Sequence, residues 1–346
     1  IANTVSTGTF TIPLMKRAGF KPHVAGALEP SASITGMFMP PIMGAGGFLM
    51  AELTDMPYVD IMLISLFPAL VYFLSILVGV HLEAKKHNLR GIEGIEVQSP
   101  WAVLKKEWYL SLPLVIIILL MIEGYSASLS AFWGTISALV ISWFDKEYRM
   151  GIRETYEAMM EGAKGTLVIG ATVGVIGIIV GTIELTGIGF KFSNVIISLA
   201  GGNLVIALLL IGIASLFLGM GVPVTASYLI MAVLTVTALE EMGVVLIAAH
   251  MIVYWFSQDS NITPPVCIAA FAGAAIAGGD PWKTGWTSFK FSKMLYVMPF
   301  LFAYTPAILL QHPYTVELAA GYVSPMTPVL FPEAPLNHVL LSFTTA

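Results

Sequence analysis

The chain of 346 residues is 57% hydrophobic and 11% charged, with a formal net charge of −5 and a mean hydropathy of +0.86. Soluble domains carry roughly 25% charged residues, so this composition excludes an ordinary soluble fold and marks a membrane protein. No basic patch is interleaved with aromatics, which excludes a nucleic-acid partner, and the single Cys267 can form no intrachain disulfide.

The chain opens at Ile1, inside a motif and without a charged leader, so an N-terminally truncated fragment is expected. Asn3 to Met15 reads as one arm of a re-entrant hairpin that leaves the bilayer at Lys16, Arg17 and Lys21. Apolar segments follow at 24–51, 58–80, 109–122, 127–144, 165–183, 203–218, 224–239, 244–278 and 291–310. Those near 20 residues match a hydrocarbon core of roughly 30 Å. The segments 203–218 and 224–239 are short for spanning helices and flank Gly219-Met220-Gly221-Val222-Pro223, which predicts a second re-entrant hairpin. The charged stretch 81–107, with Trp101 and Trp108, reads as a cytoplasmic connector, and the charge run 145–164 as a solvated connection. Gly187 to Gly202 is expected to lie along the surface as an amphipathic helix, with Phe190, Phe192, Val195, Ile196 and Leu199 on its apolar side. Gly170, Gly174, Gly177 and Gly181 form a small-residue stripe suited to close helix packing. The proline-rich tail 311–346 reads as an external loop leading into a truncated span.

Two segments contain Pro-Pro pairs, Pro40-Pro41 and Pro264-Pro265, 224 positions apart and each preceded by a polar, Ser/Thr-rich run. Proline removes a backbone donor and clashes with the preceding turn, so each pair breaks its helix. Inside a bilayer such breaks survive only where they are buried in protein or line a polar cavity. If the chain alternates across the membrane, with 203–239 entering and leaving from outside, fifteen of the sixteen Lys and Arg residues fall on one side, Lys191 excepted. The two hairpin-plus-break modules then run in opposite directions, which is an inverted repeat. The fold expected is an all-α polytopic membrane protein with re-entrant hairpins and Pro-broken transmembrane helices. Its parts are 1–80, the second part of the first repeat; 81–164, a connector and two scaffold spans; 165–310, the second repeat; and 311–346, the tail.

The arm Ala2-Asn3-Thr4-Val5-Ser6-Thr7-Gly8 with Pro13-Leu14-Met15-Lys16-Arg17-Ala18-Gly19-Phe20, the break Pro40-Pro41-Ile42-Met43-Gly44-Ala45, the tip Gly219 to Pro223 and Thr263-Pro264-Pro265-Val266 together carry a resemblance. In this combination and order, over about residues 1 to 310, the chain resembles the large membrane subunit of tripartite ATP-independent periplasmic (TRAP) transporters, nearest the fused type served by TAXI-class solute-binding proteins. Two departures stand out: the Ser/Gly residues that form the first hairpin tip, and the small membrane subunit expected upstream, are not in the sequence. The resemblance implies an elevator-type, sodium-coupled importer of organic anions in a bacterial or archaeal inner membrane. Its implied partners are a periplasmic solute-binding protein and a small membrane subunit, fused or adjacent.

Sodium is a hard cation that takes oxygen ligands, and a broken helix supplies them from carbonyls and short polar side chains. The candidate sodium ligands are Ser33, Thr35 and Gly36 at the first break and Gly219, Gly221, Asp259, Asn261 and Thr263 at the second. Helix arms that start at a hairpin tip present free N–H groups to a carboxylate, so Asn3, Thr4, Pro223, Val224, Thr225 and Ala226 are the candidate substrate contacts. Sodium is the coupling ion, and no other cofactor is expected. Plainer readings stand beside these. A serine or threonine in a membrane helix often only satisfies the carbonyl four residues back. Asp259 and Glu29 are ionisable groups at membrane depth, functional by default, yet each can serve as a structural hydrogen-bonding carboxylate. His250 reads as a packing histidine. An intramembrane enzyme is the remote alternative, because HExxH, GxSxG and facing aspartates are absent from the sequence. A stand-alone exchanger of the same broad architecture is the nearer one.

Overall fold

The computed structural model describes residues 2–89, 99–144 and 149–310. The described residues form α-helices and short 3-10 turns, with no strand among them. The chain divides into two compact units, 1–92 with 176–346, and 93–175. Helices α1 (Ala2–Arg17), α2 (Pro22–Ser33), α3 (Ala45–Thr54) and α4 (Tyr58–Lys86) begin the first unit. The second unit holds α5 (Pro100–Glu107), α6 (Leu112–Ile122), α7 (Ala127–Ser142) and most of α8 (Ile152–Thr186), whose end belongs to the first. The first unit continues with α9 (Ile188–Ala200), α10 (Leu204–Leu218), α11 (Val224–Glu241), α12 (Leu246–Phe256), α13 (Ile268–Ala277), α14 (Pro281–Phe291) and α15 (Met294–Tyr304). By length and composition, α4, α8 and α11 are long and apolar enough to cross a membrane.

Local chemistry sets the ends of these helices. Asn203 caps α10 by accepting from Val205 N at 2.9 Å, and Asp280 caps α14, with Pro281 in its first turn, by accepting from Lys283 N at 2.7 Å. Gly278 closes α13 in the left-handed conformation, which a residue with a Cβ adopts only at a cost. Both apolar stretches that hold Pro-Pro pairs are interrupted: α2 passes through a 3-10 turn, Ile34–Met37, and resumes only at α3, and α12 passes through Asp259–Asn261 and resumes at α13. Both Pro-Pro peptide bonds are cis.

A shift of 224 positions superposes more than the prolines. It carries α1 to 226–241 against α11, α2 to 246–257 against α12, the first 3-10 turn to 258–261 against the second, and α3 to 269–278 against α13. It also carries α4 onto α14 and α15 together, and Pro68, inside α4, onto Ser292, where that pair divides. The core of the first unit sits where the halves meet. Phe38 beside the first break stacks on Trp255 of α12 with centroids 4.3 Å apart, and Tyr72 and Phe302 meet the same indole edge-on. Helices α2 and α13 cross so closely that a Cβ at Gly273 would stand 2.1 Å from Gly26 O.

Several expectations require correction. In the charge run 145–164, the residues from Ile152 form the exposed first part of α8, with ion pairs Arg153–Glu157 and Glu161–Lys164 at helical spacing. Within 291–310, α15 runs from Met294 to Tyr304 and a 3-10 turn follows at Pro306–Leu309. The glycine stripe of α8 makes no close contact among the described residues; an added Cβ at Gly170, Gly174, Gly177 or Gly181 meets nothing within 4 Å. The surface helix exists as α9, but it buries Ser193, Ile196 and Ala200 and half-buries Phe192 against the hairpin arms, with Ser193 Oγ donating to Leu234 O at 3.0 Å. Its Phe190, Val195 and Leu199 face outward. The tail 311–346, Arg90 and Lys146 lie outside the described residues.

Candidate functional site

The second break gathers polar groups from four elements. Its Asp259 is buried at 1% exposure and accepts through Oδ2 from Ser215 Oγ of α10 at 2.8 Å. The other oxygen, Oδ1, has no partner, and neither has Oε1 of the neighbouring, fully buried Gln258. The hairpin tip closes over this point: a Cβ at Gly219 would stand 2.8 Å from Ser260 Oγ and 2.9 Å from Ser215 O. On the far side, the Thr263 hydroxyl is hydrogen-bonded to Tyr296 of α15. Gly219, Asp259 and Thr263 therefore lie around one locus. Asn261 is half-buried beside it, while Gly221, with φ +76°, is exposed at the turn of the tip, where its left-handed backbone favours glycine.

The first break is arranged differently. Its freed backbone groups are met by phenols: Tyr58 donates to Pro41 O at 3.0 Å and accepts from Met43 N at 3.2 Å, and Tyr254 of α12 donates to Met37 O at 2.5 Å. Thr35 is buried, with its hydroxyl turned back on Ala32 O, while Gly36 is exposed and has open space around its Cα. Ser33 Oγ lies 3.4 Å from Glu29 Oε1. Glu29, buried on α2, also accepts from the Thr7 and Thr11 hydroxyls of α1.

The substrate candidates divide as well. Pro223 N-caps α11, with Val224 and Thr225 half-buried in its first turn and Ala226 buried. Ser227, next in line, is buried with an unpartnered hydroxyl. Asn3 is exposed, and its carbonyl accepts from Thr7 Oγ1 at 2.8 Å. Thr4 is fully buried with its hydroxyl unpartnered. Among the described residues no hydrogen bond joins Asn3 or Thr4 to the first break. Sequence reasoning missed Ser215 and Gln258, whose signal was a polar side chain in an otherwise apolar run, and gave Thr7 and Thr11 no role. His250 is the buried packing group expected, its Nδ1 2.8 Å from the Tyr228 hydroxyl.

Buried oxygens without partners are what a hard cation would satisfy, and a carboxylate oxygen, an amide oxygen and backbone exposed by helix breakage suit sodium better than a softer metal. At the second break, Asp259 Oδ1 and Gln258 Oε1 are two such unpartnered oxygens.

Comparison with known proteins agrees with this architecture. A family profile described as "Tripartite ATP-independent periplasmic transporter, DctM component" matches residues 1–315. A chain of Haemophilus influenzae named as a TRAP transporter large permease protein is 23% identical over 270 residues, covering 77% of this chain, and the match spans 62% of that relative's length. The family is a multi-pass membrane component of a transporter and not an enzyme class. On the strength of that match over nearly its whole length, this chain belongs to the DctM component family of tripartite ATP-independent periplasmic transporters.

Proposed function

We propose that this chain forms the ion- and substrate-binding part of a secondary active, sodium-coupled importer of organic carboxylates, working with a periplasmic TAXI-type solute-binding protein and a small membrane subunit in a bacterial or archaeal inner membrane. The observation that carries the reading is the second break, where Asp259 Oδ1 stands buried and unpartnered close to the hairpin tip and the neighbouring Gln258 Oε1 is unpartnered as well. When bound there, sodium would neutralise the carboxylate and draw the tip backbone toward the broken helix. Asp259 and Gln258 would hold the ion, Ser215 would fix the carboxylate's rotamer through Oδ2, and Gly219 would admit the approach. The start of α11 at Pro223 to Ala226 offers unpaired backbone N–H groups and a positive dipole end to a substrate carboxylate.

The 224-residue correspondence of the elements supports an inverted repeat, and two breaks packed on each other support a substrate domain that moves as a body, as in an elevator. The test is uptake of radiolabelled carboxylates into proteoliposomes containing the permease, with and without the purified binding protein, at controlled sodium. Uptake that requires both fits the reading. Uptake indifferent to the binding protein points to a stand-alone exchanger, and uptake indifferent to sodium removes the coupling.

A further inference from the structure

Tyr72 of α4 and Tyr296 of α15 stand 224 positions apart, so the offset that relates the two breaks also relates these two phenols. Each meets the interrupted stretch of its own half, but at a different kind of group. The Tyr72 hydroxyl donates to Ser31 O of α2 at 3.0 Å, ahead of the first break, so its bond goes to backbone. The Tyr296 hydroxyl is hydrogen-bonded to the Thr263 side chain inside the second break, and either hydroxyl can be the donor of that bond. Thr263 is buried one turn after Asp259, with its N–H donating to Asp259 O at 2.9 Å. Asp259 is also an electrostatic neighbour of the Tyr296 phenol.

A threonine hydroxyl can serve a cation only when its proton points elsewhere, because the ion takes the oxygen lone pairs. In a helix that proton commonly goes to the carbonyl four residues back. Here that carbonyl is Asp259 O, which already accepts from Ile262 N at 3.1 Å and Thr263 N at 2.9 Å. The Tyr296 oxygen is the acceptor that remains. Its ring is held from behind by Phe289 of α14, with centroids 5.2 Å apart. The same helix fits closely under the break: a Cβ at Gly285 would stand 2.7 Å from Cys267 Sγ and 3.3 Å from Pro264 Cγ.

We propose that Tyr296 is a positioning residue for the cation site of the second break, its phenol oxygen taking the Thr263 proton and so turning the Thr263 lone pairs toward the ion. The inference rests on the sodium-coupled reading given above. Tyr72 is the counterpart of Tyr296 by position and not by role, since the carbonyl it meets has no proton to orient.

The test is the thermal unfolding of the purified permease in detergent, titrated with sodium chloride and, as control, choline chloride. The quantity read is the sodium concentration that gives half of the stabilising shift. Tyr296→Phe, which keeps the ring and loses the acceptor, is expected to raise that concentration about fivefold or more. Thr263→Val is expected to raise it as well, and the double variant no further than the larger single effect, because the two groups act as one. Tyr72→Phe is expected to lower the unfolding temperature equally in both salts and to keep the wild-type sodium requirement. A Tyr296→Phe protein with the wild-type sodium requirement overturns the proposal, as does a double variant in which the two effects multiply. An equal rise in Tyr72→Phe overturns it too, by making the loss a general loosening of the halves. If Tyr296→Phe does not fold, Thr263→Val decides: a wild-type sodium requirement there overturns the proposal, and a raised one supports it. Wild-type protein that ignores sodium overturns the sodium coupling itself, a separate failure.

Discussion

The two Pro-Pro breaks share spacing and flanking helices, yet they satisfy their polar groups by opposite means. At the first, the hydroxyls of Tyr58 and Tyr254 meet the freed backbone, and the carboxylate of Glu29 stands a turn away with a threonine hydroxyl on each oxygen. At the second, the carboxylate is inside the break and keeps one oxygen unpartnered. A repeated backbone does not imply a repeated site. What the two stretches have in common is the interruption, and what each does with it depends on a few side chains.

Four substitutions test that contrast. Gly273→Ala is expected to have the largest effect, because its Cβ would collide with the backbone of Gly26 where α13 crosses α2, whereas a shift of 224 puts the bulkier Leu49 and His250 at the corresponding positions. A loss of about 3 kcal/mol or more is expected in thermal unfolding of the purified protein, beyond ordinary overpacking because backbone must move. Tolerance would mean that the two crossings are interchangeable. Asp259→Asn should lower sodium-driven uptake about 100-fold with membrane insertion intact, since it removes the only carboxyl side chain in the second break. Wild-type uptake by this variant would leave the unpartnered oxygen without a role. Thr225→Val should reduce uptake about tenfold at normal expression, the scale of one charge-assisted hydrogen bond to a bound carboxylate. Uptake equal to wild type would move the substrate away from the start of α11. Tyr254→Phe should be mildest, costing about 1 kcal/mol of stability through the lost bond to Met37 O while the aromatic packing persists. Sodium dependence unchanged in this variant would confirm that the first break's phenols serve structure alone.

Much of this arrangement is legible in the sequence because the membrane punishes irregular backbone. Two prolines in apolar text force a break, the glycines of Gly219 to Pro223 mark the turn between α10 and α11, and a shared offset pairs the breaks. The structure adds what depends on contacts between distant segments. Thr7 and Thr11 read as ordinary helix threonines until α1 lies against Glu29, and Ser215 reads as a polar lapse in α10 until Asp259 arrives beside it. The start of α8 was hidden for another reason. Its first turns are charged and stabilised by pairs three and four residues apart, so no apolar run announces them.

The Phe38–Trp255 stack and the Tyr254–Met37 hydrogen bond make each break part of the wall of the other. Loosening the first break therefore disturbs the helix that leads into the second, so a substitution at Phe38 is expected to be felt at both.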